Sequence, residues 1–132
     1  MSDHSLRELA RLARKAQRRA HAPYSRFKVG AALRTSTGEV VTGCNIENAT
    51  YGLTLCAERV AVFKAVSEGL KRFDAIAVVA GGKRLAAPCG ACRQILWEFC
   101  GDILVHMEGS NGQRETRRMS ELLPFPFDDR NL

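Results

Sequence analysis

The 132-residue sequence contains no run of 18 or more apolar residues, which excludes a helix long enough to cross a membrane. Its first ten residues, MSDHSLRELA, lack the apolar segment of a secretory signal, so the chain is expected to be cytoplasmic. In that reducing compartment its five cysteines are expected to be thiols or metal ligands, and an odd number does not fit a fully paired disulfide set. Internal repeats, low-complexity tracts and interdomain linkers are missing too, so one domain spanning residues 1–132 is expected. Acidic balance is also lacking, since the formal net charge is +6. That excess is local: residues 1–34 hold nine Lys/Arg against Asp3 and Glu8, whereas residues 35–132 hold eleven against twelve Asp/Glu. The basicity belongs to the N-terminal segment, which weakens any inference from overall charge to nucleic-acid binding.

What is present, 45% apolar and 26% charged residues, is an ordinary globular composition. Leu6, Leu9, Ala10, Ala13, Ala16, Gln17 and Ala20 recur at helical spacing and predict an amphipathic helix over 5–20 within a basic segment 1–20. Asp3 or Ser5 would cap it and Ala22-Pro23 would end it. Arg7, Arg11, Arg14, Lys15, Arg18 and Arg19 cover its other faces, a basic surface with no function assigned beyond solubility. Val29–Thr35 and residues 39–44 flank Ser36-Thr37-Gly38 and predict a hairpin. A second helix is predicted over 55–68, with Ala57, Val60, Ala61, Ala65 and Val66 on its apolar face, Thr54 as its cap and Gly69 just beyond its end. Residues 75–80 form an apolar run of strand length suited to burial on both faces. Gly81-Gly82-Lys83 reads as a loop, 90–99 as a helix with Ile95, Leu96 and Phe99 facing inward, and 103–107 and 113–119 as strands. A tail over 120–132 opens with a helical turn and passes through Pro124-Phe125-Pro126-Phe127. Strands alternating with helices after an opening hairpin make an α/β domain.

Chemistry concentrates in Cys56-Ala57-Glu58-Arg59 and, 33 positions after Cys56, in Cys89-Gly90-Ala91-Cys92. A lone C-x-x-C is weak evidence, but here all three cysteines fall at predicted helix N-termini. Partial positive charge there lowers thiol pKa and favours the thiolate that a soft cation needs. Three thiolates suit Zn²⁺ with a fourth position left over. No good fourth ligand is available: Cys44 and Cys100 end a strand and a helix as small buried thiols, and His4, His21 and His106 lack partners at ligand spacing and read as surface imidazoles. A fourth position open to water means catalysis. Glu58 is the group such a water needs. On a helix flank the i, i+2 spacing would point it about 200° away from Cys56, so the two converge only if the metal lies off the end of the helix. Arg59, at i+3, shares the face of Cys56 and can withdraw charge from the thiolate sulfurs.

These strings, with Pro88 before the second and Arg93-Gln94 after it, closely resemble the cytidine deaminases of pyrimidine salvage. So do Tyr24-Ser25-x-Phe27-x-Val29-Gly30-Ala31-Ala32, Gly43-Cys44-Asn45-Ile46-Glu47-Asn48-Ala49, and Leu122-Leu123-Pro124 with Phe127. The match runs in order from about residue 20 to 127. The resemblance implies a three-layer α/β/α sandwich around a five-stranded mixed sheet. It implies one zinc per chain on Cys56, Cys89 and Cys92, with Glu58 as proton shuttle between water and the pyrimidine. It further implies Asn45 and Glu47 on the ribose hydroxyls, Phe27 against the nucleoside and the Ala57 amide on the pyrimidine. Tyr51 and Phe127 would complete the pocket from neighbouring subunits of a homotetramer. The implied reaction is hydrolytic deamination of cytidine and deoxycytidine to uridine and deoxyuridine plus ammonia.

Three rivals stand beside it. A related deaminase acting on blasticidin S shares both metal motifs. A nucleic-acid-editing deaminase would suit the basic helix, but those enzymes carry His-x-Glu where this chain has Cys56-Ala57-Glu58. A noncatalytic zinc module would need a fourth protein ligand, Cys44 or Cys100.

Overall fold

The computed structural model describes residues 2–82 and 84–132, so Lys83 of the expected 81–83 loop lies outside the described residues. Helix α1 spans Asp3–Gln17. It starts earlier than expected because Ser2, rather than Asp3 or Ser5, is the cap, its side chain accepting the Ser5 amide at 3.1 Å. It closes at Arg18, ahead of Ala22-Pro23. Strands β1 (Val29–Thr35) and β2 (Val40–Cys44) form the expected hairpin. Strands β3 (Phe73–Ala80), β4 (Leu104–Glu108) and β5 (Arg114–Arg118) complete one sheet in the order β2-β1-β3-β4-β5. β3 and β4 pair in parallel, and the other neighbours pair antiparallel. Helix α2 (Ala57–Ser67) joins β2 to β3, α3 (Gly90–Cys100) joins β3 to β4, and a single turn, α4 (Met119–Leu122), follows β5. Among the described residues no helix is long and apolar enough to cross a membrane.

Alternation along the strands divides the interior into two cores. On one side, Ala31 and Leu33 of β1, Ile76 and Val78 of β3 and Val105 and Met107 of β4 pack against Ala57, Ala61, Val62 and Ala65 of α2 and Leu96 of α3. On the other, Ala32, Ala75, Ala77 and Val79 meet Leu6, Leu9, Ala10 and Ala13 of α1. This gives the expected three-layer α/β/α sandwich, with a small-residue face under α1. Small residues let the backbones come close. A Cβ on Gly30 would lie 2.0 Å from the Ala13 carbonyl oxygen, and one on Gly43 would lie 2.6 Å from the Ala61 nitrogen and 2.7 Å from the Ala57 oxygen. Gly43 therefore sets how near the N-terminal half of α2 sits to the sheet.

Four side chains, Val60, Val66, Phe99 and His106, depart from expectation. The inner face of α2 carries Glu58 and Val62 with Ala57, Ala61 and Ala65, while Val60 is half-buried and Val66 exposed. A buried carboxyl inside an apolar face distorts the periodicity that locates the face. Phe99 is exposed and stands edge-on against Phe63, with ring centroids 6.3 Å apart. His106 is buried, not a surface imidazole: its Nδ1 pairs with Thr116 Oγ1 at 2.9 Å and its Nε2 with Glu108 Oε2 at 2.8 Å. Both ring nitrogens are thereby satisfied, which is the condition for burying an imidazole.

Candidate active site

Two helices begin with a cysteine in the place that a capping side chain would occupy. Cys56 is the N-cap of α2 and Cys89 the N-cap of α3, both extended, and neither side chain makes a capping hydrogen bond. Cap positions favour Ser, Thr, Asp or Asn because their oxygens bind the orphan amides. A sulfur spends nothing on that task and stays free for another. Cys92, in the first turn of α3, completes the group, and the three sulfurs lie within 4.8 Å of one another. Cys92 is fully buried, Cys56 half-buried and Cys89 exposed. Cys44 and Cys100 lie outside this group, so a closed four-cysteine site does not form. The donor set fits zinc: three soft sulfurs converge off two positive helix ends, with the exposed side of Cys89 leaving room for a further ligand.

Charge in the cluster is uneven. Donation from Cys92, with further donation from Arg59 and against the cost of burial, holds the Cys56 thiol down at about 5. Cys92, donating to Cys56 and buried, is pushed up. Arg59 Nη2 donates to Cys56 Sγ at 3.2 Å, the contact its i+3 spacing predicts. Its Nε is buried with no hydrogen-bond partner among the described residues. A guanidinium held this way is committed to the sulfur cluster rather than to solvent. Glu58 is 5% exposed, and that burial raises its carboxyl to about 7.

Cys56 and Cys89, two of the three sulfur residues, and Glu58 line one cavity of about 260 Å³. Cys56, Cys89, Glu58 and Ala57 form its floor, and Ser25, Phe27, Asn45, Glu47 and Thr54 form its polar and aromatic wall. Val29, Leu55, Val78, Ala86 and Ala87 line the rest. Cys56 and Glu58 converge here because Cys56 stands at the helix end, as their spacing requires. Asn45 is held rigidly: its Nδ2 donates to the Phe27 carbonyl at 2.8 Å and its Oδ1 accepts the Val29 amide at 2.9 Å. Glu47 Oε1 accepts the Tyr24 and Ser25 amides at 2.9 and 3.1 Å, and Oε2 accepts the Ser25 hydroxyl. The Ser25 hydroxyl and amide hold the Glu47 carboxyl below its ordinary value.

Tyr51 and Phe127 do not reach this cavity within one chain. Tyr51, 71% exposed, meets Tyr24 edge-on at 5.9 Å and lines an adjoining hollow shared with Ser25, Glu47 and Thr54. Phe127 is 59% exposed, and its carbonyl accepts the Gln94 amide at 2.7 Å. Sequence reasoning missed Thr54, Val78, Ala86, Ala87 and, above all, Ser25. Thr54 is not the α2 cap; its Oγ1 accepts the Asn48 amide at 3.1 Å. Ser25 carried a signal, since a serine two residues before Phe27 can close a turn with its hydroxyl. A larger groove of about 430 Å³ lies between Arg34, Asp74, Asp102 and Arg118, but these charges are consumed in Arg34–Asp74 and Arg118–Asp102 ion pairs.

Residues 3–107 match the family model described as the cytidine and deoxycytidylate deaminase zinc-binding region. The chain is 48% identical to the cytidine deaminase of Sporosarcina psychrophila, over 90% of this chain and 88% of that one. It is 55% identical to the cytidine deaminase of Halalkalibacterium halodurans, over 82% and 83% respectively. The crystal structure of cytidine deaminase from Burkholderia pseudomallei superposes with a TM-score of 0.88 at 45% identity, covering 96% of this chain and all of the other. A blasticidin-S deaminase of Bacillus cereus is more distant, at 35% identity over 78% of this chain and 79% of its own. With its three cysteines in place and relatives this near over most of its length, the chain belongs to the cytidine and deoxycytidylate deaminase family of zinc-binding enzymes.

Proposed function

We propose that the protein is a hydrolase that converts cytidine and deoxycytidine, with water, to uridine and deoxyuridine plus ammonia. The observation that carries this reading is a cluster of three sulfurs within 4.8 Å of one another, two of whose residues, Cys56 and Cys89, line one nucleoside-sized cavity together with the buried Glu58. Cys56, Cys89 and Cys92 would hold one zinc, which when bound supplies a Lewis acid that activates water. Glu58 is the proton carrier: it takes the two protons of the attacking water in turn, giving the first to N3 of the pyrimidine, which makes C4 electrophilic, and the second to the departing amino nitrogen. The C4–N bond breaks, a C4–O bond from water forms, and ammonia leaves. Arg59 draws charge from the thiolate group. Phe27 offers a face to the flat base, and the Ala57 amide a donor to its carbonyl. Asn45 and Glu47 bracket the sugar hydroxyls, a role supported by the lone pair left on Glu47 Oε2 after its bond from Ser25.

Tyr51 and Phe127, exposed and outside the cavity of a single chain, complete it from neighbouring subunits of a homotetramer. The setting is cytoplasmic pyrimidine salvage. The test offers cytidine, deoxycytidine and blasticidin S separately and follows ammonia release with ultraviolet absorbance. Consumption of both nucleosides, one ammonia for each, is the expected result. Deamination of blasticidin S alone would favour the second reading, which the Bacillus cereus relative makes worth testing, and release of ammonia from none of the three would overturn both.

A further inference from the structure

We propose that Ser25 is a positioning residue that orients the sugar-binding carboxylate of the cavity from beside its aromatic wall. Its hydroxyl oxygen accepts the Phe27 amide at 3.0 Å, and its single proton goes to Glu47 Oε2. One atom thus joins the two walls. The two amides of Tyr24 and Ser25 occupy both lone pairs of Glu47 Oε1. Oε2 is therefore the oxygen with capacity to spare, and the Ser25 hydroxyl fixes where its remaining lone pair points.

The local backbone is shaped for this task. Arg26, between Ser25 and Phe27, has φ of 60°, a left-handed conformation that disfavours residues other than glycine. That bend brings the Phe27 amide back onto the Ser25 oxygen while its carbonyl meets Asn45 Nδ2 at 2.8 Å. Phe27 is consequently gripped at both ends of its peptide, from Ser25 on one side and Asn45 on the other. Ser25 is itself exposed, so little packing is lost when it is replaced.

The inference rests on the reading that Glu47 binds the sugar hydroxyls, and the experiment separates the two. We compare kcat/KM for cytidine and for 2′,3′-dideoxycytidine, which lacks the ring hydroxyls, in wild type, Ser25→Ala and Ser25→Thr. Hydrogen bonds to charged groups of this kind set the scale at roughly tenfold. Ser25→Ala is expected to lose about tenfold on cytidine, mainly through KM, and less than about twofold on the dideoxy substrate. Ser25→Thr keeps the hydroxyl and is expected to restore the cytidine value. Equal losses on both substrates, no loss on cytidine, or failure of Ser25→Thr to rescue would overturn the positioning role. A wild-type enzyme indifferent to the sugar hydroxyls would instead overturn the underlying role of Glu47. A Ser25→Ala protein that is unfolded by circular dichroism while Ser25→Thr is folded and has the wild-type substrate ratio would make the hydroxyl structural and also count against the proposal.

Discussion

Each of the three cysteines occupies a different environment, and the difference predicts which one the site tolerates least. Cys89 is exposed and Cys56 half-buried, but Cys92 is fully buried between α3 and the cluster. Cys92→Ala removes one of the three clustered sulfurs proposed to hold zinc. Its zinc content, read by metal analysis of purified protein, is expected to fall to under about a tenth of wild type, with a lower melting temperature by calorimetry, because metal affinity here contributes folding free energy. Full zinc occupancy in that variant would show that the sulfurs are not the ligand set. The three-cysteine cluster was legible in the sequence because its signals are local: helix-start context and C-x-x-C spacing are visible without tertiary structure. The convergence of Glu58 with Cys56 on one cavity was legible from their i, i+2 spacing at a helix end. Ser25 was not, because its importance lies in bonds to Glu47, 22 positions away. The two bonds that immobilise the Asn45 amide were hidden likewise, since they reach back 16 and 18 positions to Val29 and Phe27.

At the scale of elements, the hairpin, α2, α3 and the central strand were readable from turn residues and apolar runs. The inner faces of α2 and α3 were less so. Functional burial of Glu58 displaced the apolar pattern, and Phe99 pairs with Phe63 outside the core instead of entering it. Gly43 shows how an element holds the site. Its missing Cβ lets α2 sit directly on β2, and Gly43→Ala would drive a methyl against the backbone of Ala57 and Ala61. The expected cost is at the upper end of the roughly 1–3 kcal/mol typical of overpacking, measured by urea denaturation, with zinc partly lost as the start of α2 shifts. A neutral effect would contradict the close approach.

The tail offers a second element-scale test. Trp97 Nε1 donates to Asp128 Oδ2 at 3.0 Å, and the Arg130 side chain also grips that carboxylate. Arg130 first, then Trp97, holds the Asp128 carboxyl well below the ordinary aspartate value of 3.8. A depressed carboxyl stabilises docking above its unfolded pKa and loses that contribution as pH falls through the folded one. The tail contact should therefore persist through mildly acidic pH and fail only below the usual aspartate range. Trp97 is the sole tryptophan, so its emission reports the contact. Asp128→Asn is expected to shift that emission at neutral pH and to speed proteolysis of the last residues severalfold, with zinc unchanged.

For the whole molecule, the α/β class and the five strands followed from local strand and helix signals, and the family resemblance supplied the three-layer α/β/α arrangement and the mixed sheet that local patterns alone did not specify. The surplus charge sits where the sequence placed it. Arg11 and Arg14 of α1 are paired with Glu8 and Glu108, at 2.8 and 2.5 Å, so part of the basic face is consumed in holding the helix to itself and to β4. The proposed catalysis needs a three-sulfur zinc centre and the Glu58 carboxyl working together on one nucleoside. Its most direct test is the loss of ultraviolet absorbance of cytidine with wild type and Glu58→Ala side by side, zinc being quantified in both. Turnover by wild type is expected, with about one zinc per chain in each protein as a single three-thiolate site requires and a rate lower by about 10²–10⁴-fold in the variant. A Glu58→Ala protein that keeps its zinc and deaminates cytidine at the wild-type rate would contradict it.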